Sequence, residues 1–117
     1  MRVLVVEDDE IFCQFLTEIL ESRAIEVVQS TDGLAGYEKA SSMTYDLIIL
    51  DVLLSGNDGR QICKSLKHDT KTREIPVLMM SAHPTAKDSV RECGADSFIE
   101  KPFSVTGLLG EVKKYIG

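Results

Sequence analysis

Short apolar runs alternate with longer amphipathic stretches, and the alternation repeats five times along the chain. Val3-Leu4-Val5-Val6 is a β-branched run that predicts a strand. Residues 10 to 23 then carry Ile11, Phe12, Phe15, Leu16, Ile19 and Leu20 at the spacing of one helix face. Val27-Val28 predicts a weaker second strand, and Gly33 opens a second helix through Leu34, Tyr37, Glu38 and Ala40. Leu47-Ile48-Ile49-Leu50 is the strongest strand, a continuous apolar run that reads as buried on both faces and ends at Asp51. The turn formers of Leu54-Ser55-Gly56-Asn57-Asp58-Gly59 predict a loop. Ile62, Cys63 and Leu66 mark a third helix, and Pro76-Val77-Leu78-Met79-Met80 a fourth strand. A fourth helix, about Thr85 to Cys93, has only Ala86, Val90 and Cys93 on its apolar face and is stopped by Gly94. Phe98-Ile99 predicts the last strand, closed by Lys101-Pro102. Ser104, a good N-cap, starts a fifth helix with Val105, Leu108, Leu109, Val112 and Ile116 on one stripe.

Five strands separated by helices imply an α/β fold, a parallel sheet covered on both faces by right-handed crossovers. Ligands in such folds bind beyond the carboxyl ends of the strands, near the topological switch point. The residues that follow each strand therefore carry the chemistry. After the first strand come Glu7 and Asp8, then Asp9 and Glu10; after the third, Asp51; after the fourth, Ser81; after the fifth, Lys101. Three carboxylates, a hydroxyl and an ammonium converge on one sheet edge.

Length and composition narrow the setting. At 117 residues the chain fits one domain, residues 1–117, large enough for its own core. A net charge of -6 argues against a non-specific nucleic-acid surface and against docking on anionic lipid. The opening apolar run is too short for a signal peptide, so a cytoplasmic location is the default expectation. Cys13, Cys63 and Cys93 form an odd set with no close pair in sequence, and read as small buried apolar side chains rather than a disulfide or zinc framework.

The acidic edge poses an electrostatic problem. Glu7, Asp8 and Asp51 within a few ångströms repel one another unless a cation sits between them. Mg²⁺ is the natural cofactor, because it binds through one or two carboxylates and shares its site with phosphate oxygens. Calcium wants more protein oxygens, and zinc wants His or Cys. Beside such an ion Asp51 is a competent nucleophile toward phosphorus. Lys101 can neutralise charge on the transferred group, and Ser81 can donate a hydrogen bond. Taken singly, each residue has a plainer role: Asp51 as a turn residue, Ser81 as a cap, Lys101 as a solvated charge. Asp9 and Glu10 are assigned to such a role, as the acidic start of the first helix. The ordered conjunction of the others at one edge outweighs the plain roles.

These residues resemble the receiver domain of two-component response regulators over the whole chain. The likeness is carried by Val5-Val6-Glu7-Asp8, Leu50-Asp51, Asp58-Gly59, Met80-Ser81-Ala82, Gly94-Ala95-Asp96 and Lys101-Pro102-Phe103. The resemblance implies a doubly wound sheet of flavodoxin-like order 2-1-3-4-5 with five flanking helices. It implies phosphorylation of Asp51 by a sensor histidine kinase or a phosphotransfer protein. Asp8 would be a direct magnesium ligand, Glu7 a ligand mainly through water, and the backbone carbonyl of Leu53 a further ligand. Ser81 and Lys101 would bind the phosphoryl oxygens, and the Lys101-Pro102 bond would be cis. Ser81 and Phe98 would act as the switch pair, moving the surface of the fourth helix, fifth strand and fifth helix by a shift between two states. Output would pass to a downstream protein or a missing effector domain, or through a dimer formed on phosphorylation, since the chain stops at Gly117 after the fifth helix. Ser55 departs from the proline common in the family, which predicts a looser loop, and Leu53 and His83 flank the phosphoryl site at variable positions.

Other classes fit less well. A phosphatase using an aspartyl phosphate needs a second Asp two residues after the nucleophile, where this chain has Leu53. The expectation is a phosphoacceptor that catalyses only its own phosphorylation and slow dephosphorylation, not an enzyme acting on an external substrate. A flavin module would need phosphate-cradling amides where Glu7-Asp8-Asp9-Glu10 would repel phosphate. A degenerate receiver that serves only as a protein-interaction module is the remaining alternative, set against five competent active positions.

Overall fold

Side-chain parity along the strands sorts the core into two halves. The computed structural model describes residues 1–83 and 86–116. Its main strands are β1 (Arg2–Val6), β2 (Glu26–Ser30), β3 (Leu47–Asp51), β4 (Val77–Ser81) and β5 (Ser97–Glu100). The helices are α1 (Glu10–Glu21), α2 (Gly33–Ser42), α3 (Gly59–His68), α4 (Ala86–Glu92) and α5 (Val105–Val112). Leu4, Val6, Ile48, Leu50, Val77 and Met79 point to one side, where Ala40, Ile62, Cys63, Leu66 and Val90 of α2, α3 and α4 cover them. Val3, Val5, Leu47, Ile49, Leu78 and Met80 point to the other side and pack on Cys13, Leu16, Leu20, Leu108 and Val112 of α1 and α5. A strand period of two and helices on both faces account for the uninterrupted apolar runs.

The five strands pair in parallel in the order β2-β1-β3-β4-β5, as expected for the doubly wound sheet. The chain runs outward from β1 to β2 and then reverses to β3. The switch point therefore lies between β1 and β3, where Glu7 and Asp51 emerge. The loop expected after β3 contains a two-residue antiparallel ladder, Leu53–Leu54 against Asn57–Asp58.

The broad apolar stripe expected for α1 is only partly buried. Ile11 is 84% exposed and Phe15 42% exposed, while Cys13, Leu16 and Leu20 form the buried face. The sheet covers about a third of the helix circumference, so a stripe wider than that spills onto the surface. α1 stops at Glu21 rather than residue 23, and Ala24 follows in the left-handed region (φ 62°). Ala86 and Val90 on α4 and Cys93 just after it are buried as expected, whereas Thr85 lies outside the described residues. Ser104 caps α5 by accepting the Gly107 N–H at 2.9 Å, and Val105 is left exposed rather than on the buried stripe. Asp9, Asp32 and Asp58 cap α1, α2 and α3.

All three cysteines are buried. Cys63 and Cys93, thirty residues apart, meet between α3 and α4, where the Cys63 thiol donates to the Cys93 carbonyl at 3.6 Å. Burial, reinforced by that neighbour, pushes the Cys63 thiol well above its usual range and keeps it protonated. Among the described residues no helix is long and apolar enough to cross a membrane.

Gly59 leaves less room than any other glycine among the described residues: a Cβ there would lie 1.9 Å from the Asp51 carbonyl oxygen. Gly59→Ala is expected to lower unfolding stability by about 3 kcal/mol, because backbone rather than a yielding side chain stands in the way. Gly110, inside α5, has open space at the same position. Gly110→Ala is expected to raise stability by about 0.5–1 kcal/mol through lost unfolded-state freedom. Urea titrations of the two variants check both signs.

Candidate functional site

The backbone at the carboxyl edge of the sheet is pinned before any side chain acts. The Glu7 N–H donates to the Ser30 carbonyl at 3.0 Å, the Val52 N–H to Met80 at 2.9 Å, and the Lys101 N–H to Ser81 at 2.8 Å. These bonds continue the parallel ladders one step past the strands. Glu7 continues the phase of Val3 and Val5, and Asp51 that of Leu47 and Ile49. Both acids therefore turn toward the α1/α5 side of the sheet.

There they meet Lys101, whose Nζ donates to Asp51 Oδ2 at 2.8 Å and to Glu7 Oε2 at 3.1 Å. Glu7 is 1% and Asp51 6% exposed, so this is an ion cluster largely removed from water. The other oxygen of Glu7 accepts the Asp9 N–H at 3.2 Å, and Asp51 Oδ1 accepts the Leu53 N–H at 3.3 Å. Asp8, half-buried at the rim, accepts both the backbone N–H and the hydroxyl of Ser55, at 2.8 and 2.7 Å. Ser55 thus anchors the loop that the absence of proline predicted to be looser, because a proline there would have no N–H to give.

Protonation follows from these contacts. Burial, aided by the hydrogen bond and charge of Asp51 and only partly offset by Lys101, pushes the Glu7 carboxyl up to about 8. Burial alone would lower Lys101, but its contacts with Asp51 and Glu7 outweigh that and hold the ammonium above its ordinary value. The Ser55 bonds lower Asp8.

One carboxylate oxygen from each of Glu7, Asp8 and Asp51 lies within 4.8 Å of the others. An all-oxygen set of that span, three carboxyl groups, fits a small hard cation and lacks the nitrogen or sulfur donors that zinc prefers. The three acids named from sequence are therefore together, with Lys101 against two of them. Ser81 closes β4, 1% exposed, and its hydroxyl accepts the His83 N–H at 3.0 Å. Leu53 is exposed beside Asp51, and His83 is an exposed loop residue. Phe98 on β5 is half-buried against the α2–α4 side of the core. The Lys101-Pro102 bond is cis, as expected. Asp9 caps α1 through the Ile11 and Phe12 N–H groups at 3.0 and 3.1 Å, which bears out its assignment to the helix start.

Two participants escaped the sequence. Phe12 places its ring 4.4 Å from the Lys101 ammonium. Its signal was present, one helical turn after Asp8, but an aromatic on an amphipathic face reads first as core. Arg60 grips Asp58 with Nε at 2.9 Å and Nη2 at 2.7 Å, and its Nη1 reaches the Ser89 hydroxyl on α4 at 3.0 Å. A contact across 29 residues between two helices leaves no trace in local pattern.

Comparison with known proteins agrees with this architecture. The family described as the response regulator receiver domain matches residues 3–113. Over 114 residues the chain is 38% identical to the phosphate regulon transcriptional regulatory protein PhoB of Escherichia coli, covering 96% of this chain and 50% of that protein. Over 117 residues it is 31% identical to the polar-differentiation response regulator DivK of Brucella anthropi, covering 98% and 95% of the two. The chain thus spans about half the length of PhoB and nearly all of DivK. Among solved structures, the chemotaxis protein CheY4 of Vibrio cholerae superposes with a TM-score of 0.90 at 27% identity, covering 97% of each chain. The receiver domain of the sensor histidine kinase PA1611 of Pseudomonas aeruginosa, solved with a magnesium ion coordinated in its active site cleft, shares the fold at a TM-score of 0.91. Its identity is 23%, over 99% of this chain and 97% of that one. A match running almost from end to end, with relatives above 30% identity aligned over nearly the full chain, has one reading: this chain belongs to the response regulator receiver domain family.

Proposed function

We propose that the chain accepts a phosphoryl group on Asp51 from a phosphohistidine of a sensor histidine kinase or phosphotransfer protein, and relays the event through α4, β5 and α5. The observation that carries this reading is the Lys101 ammonium bridging Asp51 and Glu7 inside a cluster of three carboxylates. A buried ion network of this shape, at the switch point of a parallel sheet, serves transfer chemistry better than stability.

In this reading Asp8, Asp51 and the Leu53 carbonyl would hold Mg²⁺, with Glu7 contributing mainly through water. When bound, the ion supplies positive charge beside the phosphoryl oxygens and screens the acids from one another. An Asp51 oxygen attacks phosphorus, the P–N bond of the donor breaks, and its electron pair leaves with the imidazole. Lys101 follows the charge from Asp51 to the transferred oxygens. The Ser81 hydroxyl exchanges its His83 bond for a phosphoryl oxygen, and Phe98 moves into the space that Ser81 leaves. The family's role is regulatory, and here catalysis extends only to self-phosphorylation and slow hydrolysis of the aspartyl phosphate. Exposed Ile11 and Phe15 on α1 and Leu53 on the loop offer apolar contact to the donor. Output passes to an effector segment or a separate protein, with a dimer formed on phosphorylation as one route. The domain occupies residues 1–117 and works in the cytoplasm.

Incubation with Mg²⁺ and acetyl phosphate is expected to add one phosphoryl group, located on Asp51 by mass spectrometry. Asp51→Asn should abolish it, and Lys101→Met should slow it by about 10²–10³-fold. Modification elsewhere, or equal labelling of Asp51→Asn, would sink the assignment.

The Glu7 proton gives a pH signature. Below its ordinary value of 4.5 both folded and unfolded Glu7 are protonated. Between 4.5 and about 8 only the unfolded chain releases the proton, so the metal-free domain loses stability as pH rises through that window and levels off above it. Urea unfolding in EDTA should show this decline in wild type and little of it in Glu7→Gln. Binding of Mg²⁺ must expel the same proton. Calorimetry in buffers of different ionisation heat should find about one proton released per ion near pH 6.5, falling toward zero above pH 8.

A further inference from the structure

Lys101 has a third neighbour that the phosphoryl-transfer reading does not use. Its Nζ lies 4.4 Å from the centroid of the Phe12 ring, well inside the roughly 6 Å reach of a cation–π contact. Phe12 is not free to drift from that position. Its backbone N–H is bonded to the Asp9 cap at 3.1 Å, which fixes where the side chain leaves α1. The ring also packs edge-on against Phe103, centroids 5.7 Å apart at 67°, and lies tilted against Phe15 at 6.0 Å. Phe103 lies two residues beyond Lys101, so the strand end that supplies the ammonium also supplies a packing partner for the ring beneath it.

The three neighbours of the ammonium differ in one respect. Asp51 and Glu7 are also the acids that face a cation and a phosphoryl group, so other charges compete for their oxygens. The ring face has no such competitor. A lysine on a flexible four-carbon stem, 20% exposed, would otherwise swing toward solvent whenever its carboxylate partners were engaged.

We propose that Phe12 is a positioning residue for phosphoryl transfer: its ring face keeps the Lys101 ammonium beside Asp51 while the carboxylates are occupied. This role rests on Asp51 being the phosphoryl acceptor. It is distinct from packing, because a leucine would fill much of the same space without a negative face.

The test is a series in which Phe12 is replaced by 4-fluoro-, 3,5-difluoro- and 3,4,5-trifluorophenylalanine, which keep the ring's shape while draining its negative face, alongside Phe12→Leu. The first readout is the rate of Asp51 phosphorylation by acetyl phosphate in Mg²⁺. The second is the proton shift of the Lys101 ε-methylene, measured by NMR in the metal-free protein. The rate is expected to fall stepwise with fluorination, by up to about tenfold at the trifluoro ring, with Phe12→Leu at least as slow. The ε-methylene should be shifted upfield in wild type and return toward the ordinary value in Phe12→Leu. A wild type that phosphorylates normally and a flat fluorine series would overturn the role of Phe12 alone. An unshifted ε-methylene in wild type would overturn the contact itself. A wild type that takes no phosphoryl group on Asp51 would instead overturn the acceptor reading and this role with it, whatever the NMR shift. If Phe12→Leu fails to fold, the fluorinated proteins still decide the matter.

Discussion

The ammonium of Lys101, held between two buried carboxylates, is the constraint around which the carboxyl edge of this domain is arranged. Taking an isolated charge out of water costs several kcal/mol, and the Lys101 ammonium offsets part of that cost for both acids. Even so the balance is incomplete. Three carboxylates and one ammonium sum to a charge of minus two when all are ionised. The fold answers part of that excess by raising Glu7 until it holds a proton near neutrality. A bound dication would answer the whole of it. The network is therefore better suited to receiving charge than to stabilising the fold, and the apolar layers on either side of the sheet do the stabilising.

Much of this was legible from the amino-acid order. Leu47-Ile48-Ile49-Leu50 read as a strand buried on both faces, and the fivefold alternation of such runs with amphipathic stretches implied an α/β sheet covered by helices. Once strands were placed, the rule that ligands gather beyond their carboxyl ends named Glu7, Asp8, Asp51 and Lys101 with no further information. What stayed hidden depends on angles between elements rather than on order within them. Ile11 and Phe15 share the periodicity of Leu16 and Leu20, and only the width of sheet beneath α1 decides that they face solvent. The meeting of Cys63 and Cys93 arises because α3 and α4 are neighbours on one face, which spacing along the chain cannot show. Phe12 was visible as apolar, but its value as a charged group's neighbour depended on where Lys101 returned from β5.

The same long-range geometry links the loop after Asp51 to the helix that lies over β4 and β5. Asp58 caps α3 and grips Arg60, and Arg60 reaches across to Ser89 on α4. Gly59, between the cap and the fork, packs against the backbone of Asp51 with no room for a side chain. α4 has few buried side chains of its own, Ala86 and Val90 among its described residues. With so few core side chains of its own, α4 is held in part by polar ties of this kind.

The bond pair from Ser55 to Asp8 has a bearing on ion choice. With one oxygen committed to a loop serine, Asp8 has a single oxygen left to offer, and it cannot chelate through both without giving up two hydrogen bonds. Ions of larger radius gain most from chelating carboxylates, whereas a compact octahedral ion is content with one oxygen and its own waters. In the proposed magnesium site a hydroxyl and an amide on a surface turn would thereby act as a size filter, exercised through the denticity of their neighbour.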